Sequence, residues 1–531
     1  MAAGKVLVSD PVAAEGVAIL RRAGLDVDVR TGLTKEELVG IIGDYDALAV
    51  RSETKVTADV LEAATKLKII GRAGVGVDNI DVERATQKGV LVVNSPEGNT
   101  IAAAELTVAL LLSLSRNIAQ AAASLRDGEW KRSKYVGVEV YGKTVGVIGL
   151  GKIGREVAKR LLGMEMTVLA FDPFLSDEQA SQLGVRKVEL DTIYRQADYI
   201  TVHVPKTKET AGMIGAEQIA QMKDGVRLVN VARGGIIQEA ALLEGIKSGK
   251  IAGAAIDVWE SEPTPPNNPL LPLPQLVGTP HLGASTEEAQ IGVAVDIAEQ
   301  IVDVLSGRPA RAAVNMPGLA PDVMARIEPY LKLAEKIGSL QTQLAASGGS
   351  ITAVEAIYAG DFEQNQLVHL TRALMKGLLS PILTESVNYV NAPALAASRG
   401  IRITESRAPR GDEHAQMLSV TATSDAGERS ICGTVFGRSD ARIVEIDGYG
   451  VDFKPEGFLM VTQHTDKPGI IGRVGTLLGQ KGLNIAGMYV GRDEKTRRAV
   501  MALSLDAAVP DGVMAEINRL EGMESARMVE L

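Results

Sequence analysis

Residues 144–163, TVGVIGLGKIGREVAKRLLG, decide the fold. The β-branched run from Thr144 to Ile148 meets the turn Gly149-Leu150-Gly151-Lys152-Ile153-Gly154, which opens directly onto the helical pattern REVAKRLLG. In that setting a G-x-G-x-x-G pattern becomes a dinucleotide cradle. The glycines allow a tight turn and close approach of a pyrophosphate, and the helix N-terminus offers unpaired N–H groups. The following strand pattern, TVLAF, ends at Asp172. A carboxylate there accepts hydrogen bonds from both adenosine ribose hydroxyls and repels a 2′-phosphate, so NAD is expected in preference to NADP.

Short apolar runs and helical patterns alternate on both sides of this stretch. Downstream come YITVHV, RLVNVA, IAGAAIDV and LVGTPH; upstream, between Lys5 and Pro96, come KVLV, LDVDV, ALAV, KII and VLVV. The expected class is α/β, with two doubly wound parallel-sheet, Rossmann-like domains. One apolar helix is expected from Ile101 to about Arg126, and another from Glu287 to Leu305, stopped by Gly307 and Pro309. As crossings between the domains they make the first domain discontinuous, with residues 1–99 and 285–316 flanking a dinucleotide domain of residues 100–284. Residues 317–454 follow as an α+β unit with a helix at LTRALMKGLL and strands at ITAVEAIYA, LSVTATS and RIVEIDGY, and carry no readable chemical motif. Residues 455–531 give strand FLMVTQH, a helix opened by Pro468-Gly469, strands NIAGMYV and RAVMALSL, helix DGVMAEINRL and strand SARMVE. That order is a ferredoxin-like βαββαβ unit.

A chain of 531 residues has to divide into several such units. With a net charge of −10 and no long basic block, nucleic acid is excluded as a partner. Cys432 is alone, so there is no intrachain disulfide framework, and the opening MAAGKVLVSD lacks the apolar core of a signal peptide. The apolar stretch Ile101 to Leu114, interrupted by Glu105, is too short to cross a bilayer of roughly 30 Å. A cytoplasmic protein without a membrane segment or a metal site is expected.

Oxidising an alcohol needs a base for the hydroxyl proton, and histidine suits that work near neutrality. Five histidines are available. His369, His414 and His464 lie outside the α/β domains, and His203, in the strand-end sequence VHVP, reads as structural. His281 remains, at the carboxyl end of LVGTP, where ligands of parallel sheets gather. Arg233 and Glu262 follow RLVNVA and IAGAAIDVWES in equivalent places. An arginine fork holds a carboxylate bidentately, and a carboxylate beside an imidazole favours its protonated form.

The strings GRAGVGVDNID, NSPEGNTIAAAELTVALLL, GLGKIGREVAKR, VNVARGGII, GAAIDVWESEP and PHLGASTEEAQ run in this order from Gly71 to Gln290. They resemble the D-isomer-specific 2-hydroxyacid dehydrogenases. The resemblance implies that Arg233, Glu262 and His281 are the catalytic trio, with His281 as proton donor and acceptor. It also implies NAD contacts at Gly149, Gly151, Lys152, Ile153, Gly154, Asp172, Val204, Val231, Ala232, Arg233, Asp257, His281, Leu282, Gly283 and Ala284. Lys152 replaces an arginine common in that pattern, which matters little where backbone groups hold the pyrophosphate. Arg51, Ser52, Arg72, Gly74, Val75 and Asn99 are placed beside the substrate, the two arginines being suited to a phosphate. Arg132, in the cluster from Trp130 to Lys134, is placed near the substrate of a neighbouring subunit.

Simpler members of that family end near Pro317. The longer chain resembles the form with an intervening domain, to which NAPALAASRGI near Asn391 is similar, and then an ACT regulatory domain. The long form implies oxidation of 3-phospho-D-glycerate to 3-phosphooxypyruvate, the first step of L-serine biosynthesis, by a homo-oligomer, expected to be a tetramer. It also implies L-serine as effector at His464, Asp466, Gly469 and Asn484. In that reading Asp466 meets the ammonium group and the helix opened at Gly469 receives the carboxylate. Two other readings stay open. One is another hydroxy acid, such as 2-hydroxyglutarate, which several arginines would accept. The other is an NAD-sensing binding protein on the same fold, against which the retained Arg233, Glu262 and His281 argue.

Overall fold

Strand pairing in the first sheet runs Asp26–Val29, Lys5–Val8, Ala47–Val50, Ile69–Arg72, Leu91–Asn94, all parallel. The structure, a computed structural model, describes residues 4–345, 350–409, 415–425, 427–493 and 495–531; His414 lies outside them. Every residue of ALAV is buried, as a parallel strand covered on both faces requires. One cover is the helix Glu287–Leu305, whose Val293, Ile297, Ala298 and Ile301 share a buried cluster with Val6, Val8, Ala49 and Ile69. The chain therefore returns to the first sheet after building the second. It then runs along the outer strand, where Val314 N–H donates to Val92 O at 2.7 Å.

The second sheet has seven parallel strands, in the order Leu276–Gly278, Ile251–Ile256, Val226–Asn230, Tyr199–Val202, Thr144–Ile148, Thr167–Phe171, Arg186–Lys187. Strand order reverses between Thr144–Ile148 and Tyr199–Val202, which opens a crevice at their carboxyl ends. The glycine-rich turn lies there. Both expected doubly wound sheets are present.

The expected single helix from Ile101 to Arg126 is two helices, Thr100–Ser115 and Ile118–Arg126, bent by 67°. Asn117 between them is left-handed, a backbone state that ends a helix and that asparagine tolerates. Among the described residues no single helix is long and apolar enough to cross a membrane.

The third sheet has six strands, Arg402–Ala408, Ile351–Ala359, Met417–Ser424, Gly427–Phe436, Asp440–Ile446 and Tyr449–Phe453, antiparallel after the first pair. RIVEIDGY is not one strand: Asp447 and Gly448, both with positive φ, turn it into a hairpin. The helix Pro321–Leu344, which packs against Gln364–Leu379, was not legible because Pro329 interrupts its pattern. The fourth sheet, antiparallel in the order Ile485–Asp493, Arg498–Leu505, Phe458–Thr465, Met523–Glu530, carries two helices and is the expected βαββαβ unit. One face packs Met460, Met501 and Leu503 with those helices. The other buries Leu459, Val461, Val500, Ala502 and Val529 in the core of the third unit. At about 1.5–3 kcal/mol per fully buried large apolar side chain, this contact fixes the fourth unit to the third.

Candidate active site

Gly149 has φ of 93° and Gly154 is packed so tightly that a methyl group would lie 2.0 Å from Gly149 O. Both positions therefore require glycine. At Gly151 a methyl would meet nothing within 4 Å: this position faces open space that a pyrophosphate can approach. It caps the helix Lys152–Gly163 without any side-chain acceptor, so the first N–H groups stay available to an anion. Asp172 is oriented by the N–H groups of Leu150 at 2.8 Å and Phe174 at 2.9 Å. Each oxygen keeps a second lone pair for a ribose hydroxyl. The cradle fits NAD.

Lys152 spans the cleft to Glu97, Nζ to Oε1 at 2.5 Å, and that contact holds the Glu97 carboxyl below the usual range. His203 has Nε2 2.9 Å from Thr201 Oγ1, and burial pushes its imidazole down to about 4, as befits the structural role expected of it. Asp257 turns inward: it accepts from Thr279 Oγ1 at 2.6 Å and from the N–H groups of Leu282 at 2.7 Å and Gly283 at 2.9 Å. In this chain it shapes the Leu282–Ala284 loop.

The strands Val226–Asn230, Ile251–Ile256 and Leu276–Gly278 are neighbours, so the segments leaving their carboxyl ends converge. They carry Arg233, Glu262 and His281. His281 Nδ1 lies 2.7 Å from Glu262 Oε2, while Glu262 Oε1 accepts the N–H of Trp259 at 3.0 Å. Burial works to raise the Glu262 pKa. The His281 hydrogen bond, the Trp259 N–H and the nearby positive charges outweigh it and hold the carboxyl below its usual range. Nε2 is left for a substrate hydroxyl. Glu262→Gln keeps the shape of the side chain but removes the charge facing the ring, so turnover should fall while NAD affinity is unchanged. Parent-like turnover would rule out the pairing.

Arg233 reaches across to the first sheet's side of the cleft. Nε donates to Asp78 Oδ2 at 3.1 Å and Nη1 to Ala232 O at 2.7 Å, and Nη2 lies over Gly76, where a methyl would sit 2.1 Å from it. Asn230 fixes the turn beneath by donating to Arg233 O at 2.9 Å and accepting from Ala232 N at 3.0 Å. Arg72 lies over Gly74, and burial first, then the charges of Arg233 and Arg51, push its pKa down to about 10. Arg51 donates to Pro11 O at 3.3 Å. Arg72 Nε, Ser95 Oγ, Asn99 Oδ1 and Thr100 Oγ1 are buried without a hydrogen-bond partner, and Ser95 N–H meets Gly74 O at 2.9 Å. The crowding of Arg72, Arg233 and Arg51 marks a place for an anion.

Ser52 follows Arg51 on the same loop and is exposed, and Val75 O accepts from Asn94 Nδ2 at 2.5 Å. Arg132 lies in an exposed turn, Arg132–Tyr135. Sequence reasoning missed Asp78, Ser95, Thr100 and Asn230. Asp78 lay inside GRAGVGVDNID, but no spacing rule pairs it with an arginine 155 residues on.

In the fourth unit Asp466 is paired with Arg492, Nη2 to Oδ2 at 2.7 Å, and Asn484 Nδ2 donates to Asp506 Oδ2 at 2.8 Å. Gly469, at φ of 93°, opens the helix Ile470–Gln480 without a side-chain cap. His464 is only 2% exposed, with Nδ1 3.3 Å from Thr462 Oγ1, and burial lowers its pKa. Its place is the interior of the unit, beneath the surface that Gly469 and Asp466 present.

A dinucleotide cradle opposite an Arg–Glu–His cluster defines a nicotinamide-dependent dehydrogenase of 2-hydroxy acids. Residues 108–283 match the NAD-binding domain of D-isomer specific 2-hydroxyacid dehydrogenases, residues 326–447 the D-3-phosphoglycerate dehydrogenase intervening domain, and residues 458–522 the ACT domain. A D-3-phosphoglycerate dehydrogenase of Archaeoglobus fulgidus is 49% identical over 529 residues, covering 99% of this chain and 100% of its own. That of Bacillus subtilis is 44% identical, with 99% of both chains covered. The solved D-lactate dehydrogenase of Escherichia coli covers 58% of this chain and 99% of its own, with a TM-score of 0.53 and 29% identity. The chain belongs to the D-3-phosphoglycerate dehydrogenase family, and its cofactor is NAD.

Proposed function

We propose that the protein oxidises 3-phospho-D-glycerate to 3-phosphooxypyruvate, the first step of L-serine synthesis. The relatives' shared activity supports this reading, and the observation that carries it is the convergence of Arg51, Arg72 and Arg233 around the Gly74 loop. NAD supplies the hydride acceptor when bound. Arg233 holds the substrate carboxylate through its fork, Arg72 and Arg51 offset the phosphate charge, and His281 Nε2 takes the hydroxyl proton as hydride leaves C2. Glu262 stabilises the resulting imidazolium.

The working protein in this reading is cytoplasmic and a homo-oligomer, expected to be a tetramer. The helix Thr100–Ser115 spends most of its apolar surface inside its own chain. Ile101, Ile118, Leu125, Trp130, Val136 and Tyr141 are all exposed and are the apolar residues assigned in this reading to a second copy. Arg132 sits on the same loop as Trp130, which supports its reaching a neighbour's substrate. The ACT unit is the proposed L-serine site through Asp466, Gly469 and Asn484, with serine favouring a less active state.

The test is a spectroscopic panel of hydroxy acids with NAD and NADP, repeated with L-serine. The expected result is the highest kcat/KM for 3-phospho-D-glycerate with NAD, and inhibition by serine that Asp466→Ala abolishes. A preference for 2-hydroxyglutarate would replace the substrate, and no turnover with any acid would favour an NAD sensor. Millimolar serine giving neither calorimetric heat nor inhibition would remove the regulatory reading alone.

A further inference from the structure

Residues 388–391 are gripped from two sides. Tyr389 belongs to the intervening unit: its hydroxyl donates to Glu335 Oε2 at 3.0 Å, its ring lies 4.9 Å from Lys376 Nζ, and its carbonyl accepts from Arg372 Nη1 at 2.9 Å. Lys376 in turn pairs with Glu335 at 2.7 Å, which ties the helices Pro321–Leu344 and Gln364–Leu379 together at this point. The next residue, Val390, faces the other way. It is 7% exposed and lies in the buried cluster of the first sheet with Leu91, Val93 and Ala310. Asn388 Nδ2 donates to Gly89 O at 2.8 Å, and a methyl on Gly89 would lie 2.5 Å from that nitrogen.

The segment is stiff. Asn388 Oδ1 accepts the N–H groups of Val390 at 2.9 Å and Asn391 at 3.1 Å, and Asn391 Oδ1 accepts that of Asn388 at 2.8 Å. Gly89 stands two residues before the strand Leu91–Asn94, whose far end reaches the substrate side of the cleft. There Asn94 Nδ2 donates to Val75 O at 2.5 Å, and Ser95 N–H donates to Gly74 O at 2.9 Å, beneath Arg72. A rigid loop therefore holds one end of a short strand and the hydroxy-acid loop hangs on the other.

We propose that Asn388, Tyr389 and Val390 are positioning residues for the dehydrogenase reaction: they fix the strand Leu91–Asn94, and through it the Gly74–Val75 loop under Arg72. The placement of the intervening unit thereby sets the affinity for hydroxy acid and leaves the NAD cradle, built on the second sheet, unaffected. The proposal rests on reading the Arg72, Gly74 and Asn99 region as the hydroxy-acid site. Tyr389 is the decisive position, because its side chain is held by Glu335 and Lys376, both in the intervening unit.

The experiment uses the full chain with Tyr389→Ala, Tyr389→Phe, Val390→Ala and Val390→Ile, each checked for folding by thermal melting. Tyr389→Ala and Val390→Ala are expected to raise KM for the hydroxy acid about threefold or more, with kcat and the NAD dissociation constant unchanged. The two conservative variants should recover most of the parent value. Hydrogen exchange over residues 72–79 and 94–99 should quicken in both alanine variants, a readout that needs no turnover. Parent-like KM and exchange in a folded Tyr389→Ala protein would overturn the proposal. If the parent turned over no hydroxy acid, the reading of the site would fail while the exchange arm still decided the coupling.

Discussion

His281→Ala should leave NAD binding intact and lower kcat by about 100- to 10,000-fold, the range that proton transfer by a positioned side chain contributes. The two effects separate because the loop does not depend on the imidazole. His281 N–H donates to Asp257 O at 2.8 Å, and the Leu282 and Gly283 N–H groups are held by the Asp257 carboxylate. Backbone therefore stays in place when the ring goes. His281 also has φ of 55°, an uncommon state for a side-chain-bearing residue and one often found at functional sites. Alanine is no freer there than histidine, so the substitution removes the imidazole without relaxing the turn. Fluorescence titration with NAD and steady-state turnover would be measured side by side. An unchanged kcat would take His281 out of the mechanism, and lost NAD affinity would show that the ring, and not the Asp257 network, shapes the nucleotide surface.

What the sequence made legible depended on how locally each feature is encoded. The NAD cradle was readable because strand, glycine turn and helix are contiguous, and the spacing to Asp172 is fixed by one βα unit. The convergence of Arg233, Glu262 and His281 was readable at one remove: each follows a strand, and neighbouring strands in a parallel sheet deliver their carboxyl ends to one place. Partners that act across the cleft were not. Asp78 against Arg233 and Lys152 against Glu97 pair segments from different sheets, and no periodicity within either segment announces the other. The break at Asn117 was hidden because Ser115, Arg116 and Asn117 could equally be the polar face of a helix whose apolar residues resume at Ile118, so composition described one helix where a single left-handed residue makes two. His464 shows the opposite limit. The resemblance put it among the effector residues, whereas strand alternation puts its side chain inside with Met460 and Thr462.

Arg233→Ala is expected to raise the hydroxy-acid KM and lower kcat together, because in the proposed mechanism the same side chain binds the carboxylate and aims the carbon that gives up hydride. A misplacement of about 1 Å in a reacting geometry costs about 100-fold. The structure gives this residue little slack: Asp78 fixes Nε, Ala232 O fixes Nη1, and Gly76 leaves room for nothing larger beneath Nη2. The Asp78 pair also keeps the guanidinium from lying uncompensated beside Arg72 before substrate arrives, and the incoming carboxylate then shares that role. Arg233→Lys keeps the charge but cannot reproduce a planar fork held at three points, so it should recover part of the binding and little of kcat. NAD affinity serves as the internal control, since the pyrophosphate cradle and Asp172 lie on other strands. If alanine left both KM and kcat at parent values, the carboxylate would have to be held elsewhere, and Arg72, its cationic neighbour, would be the arginine to substitute next.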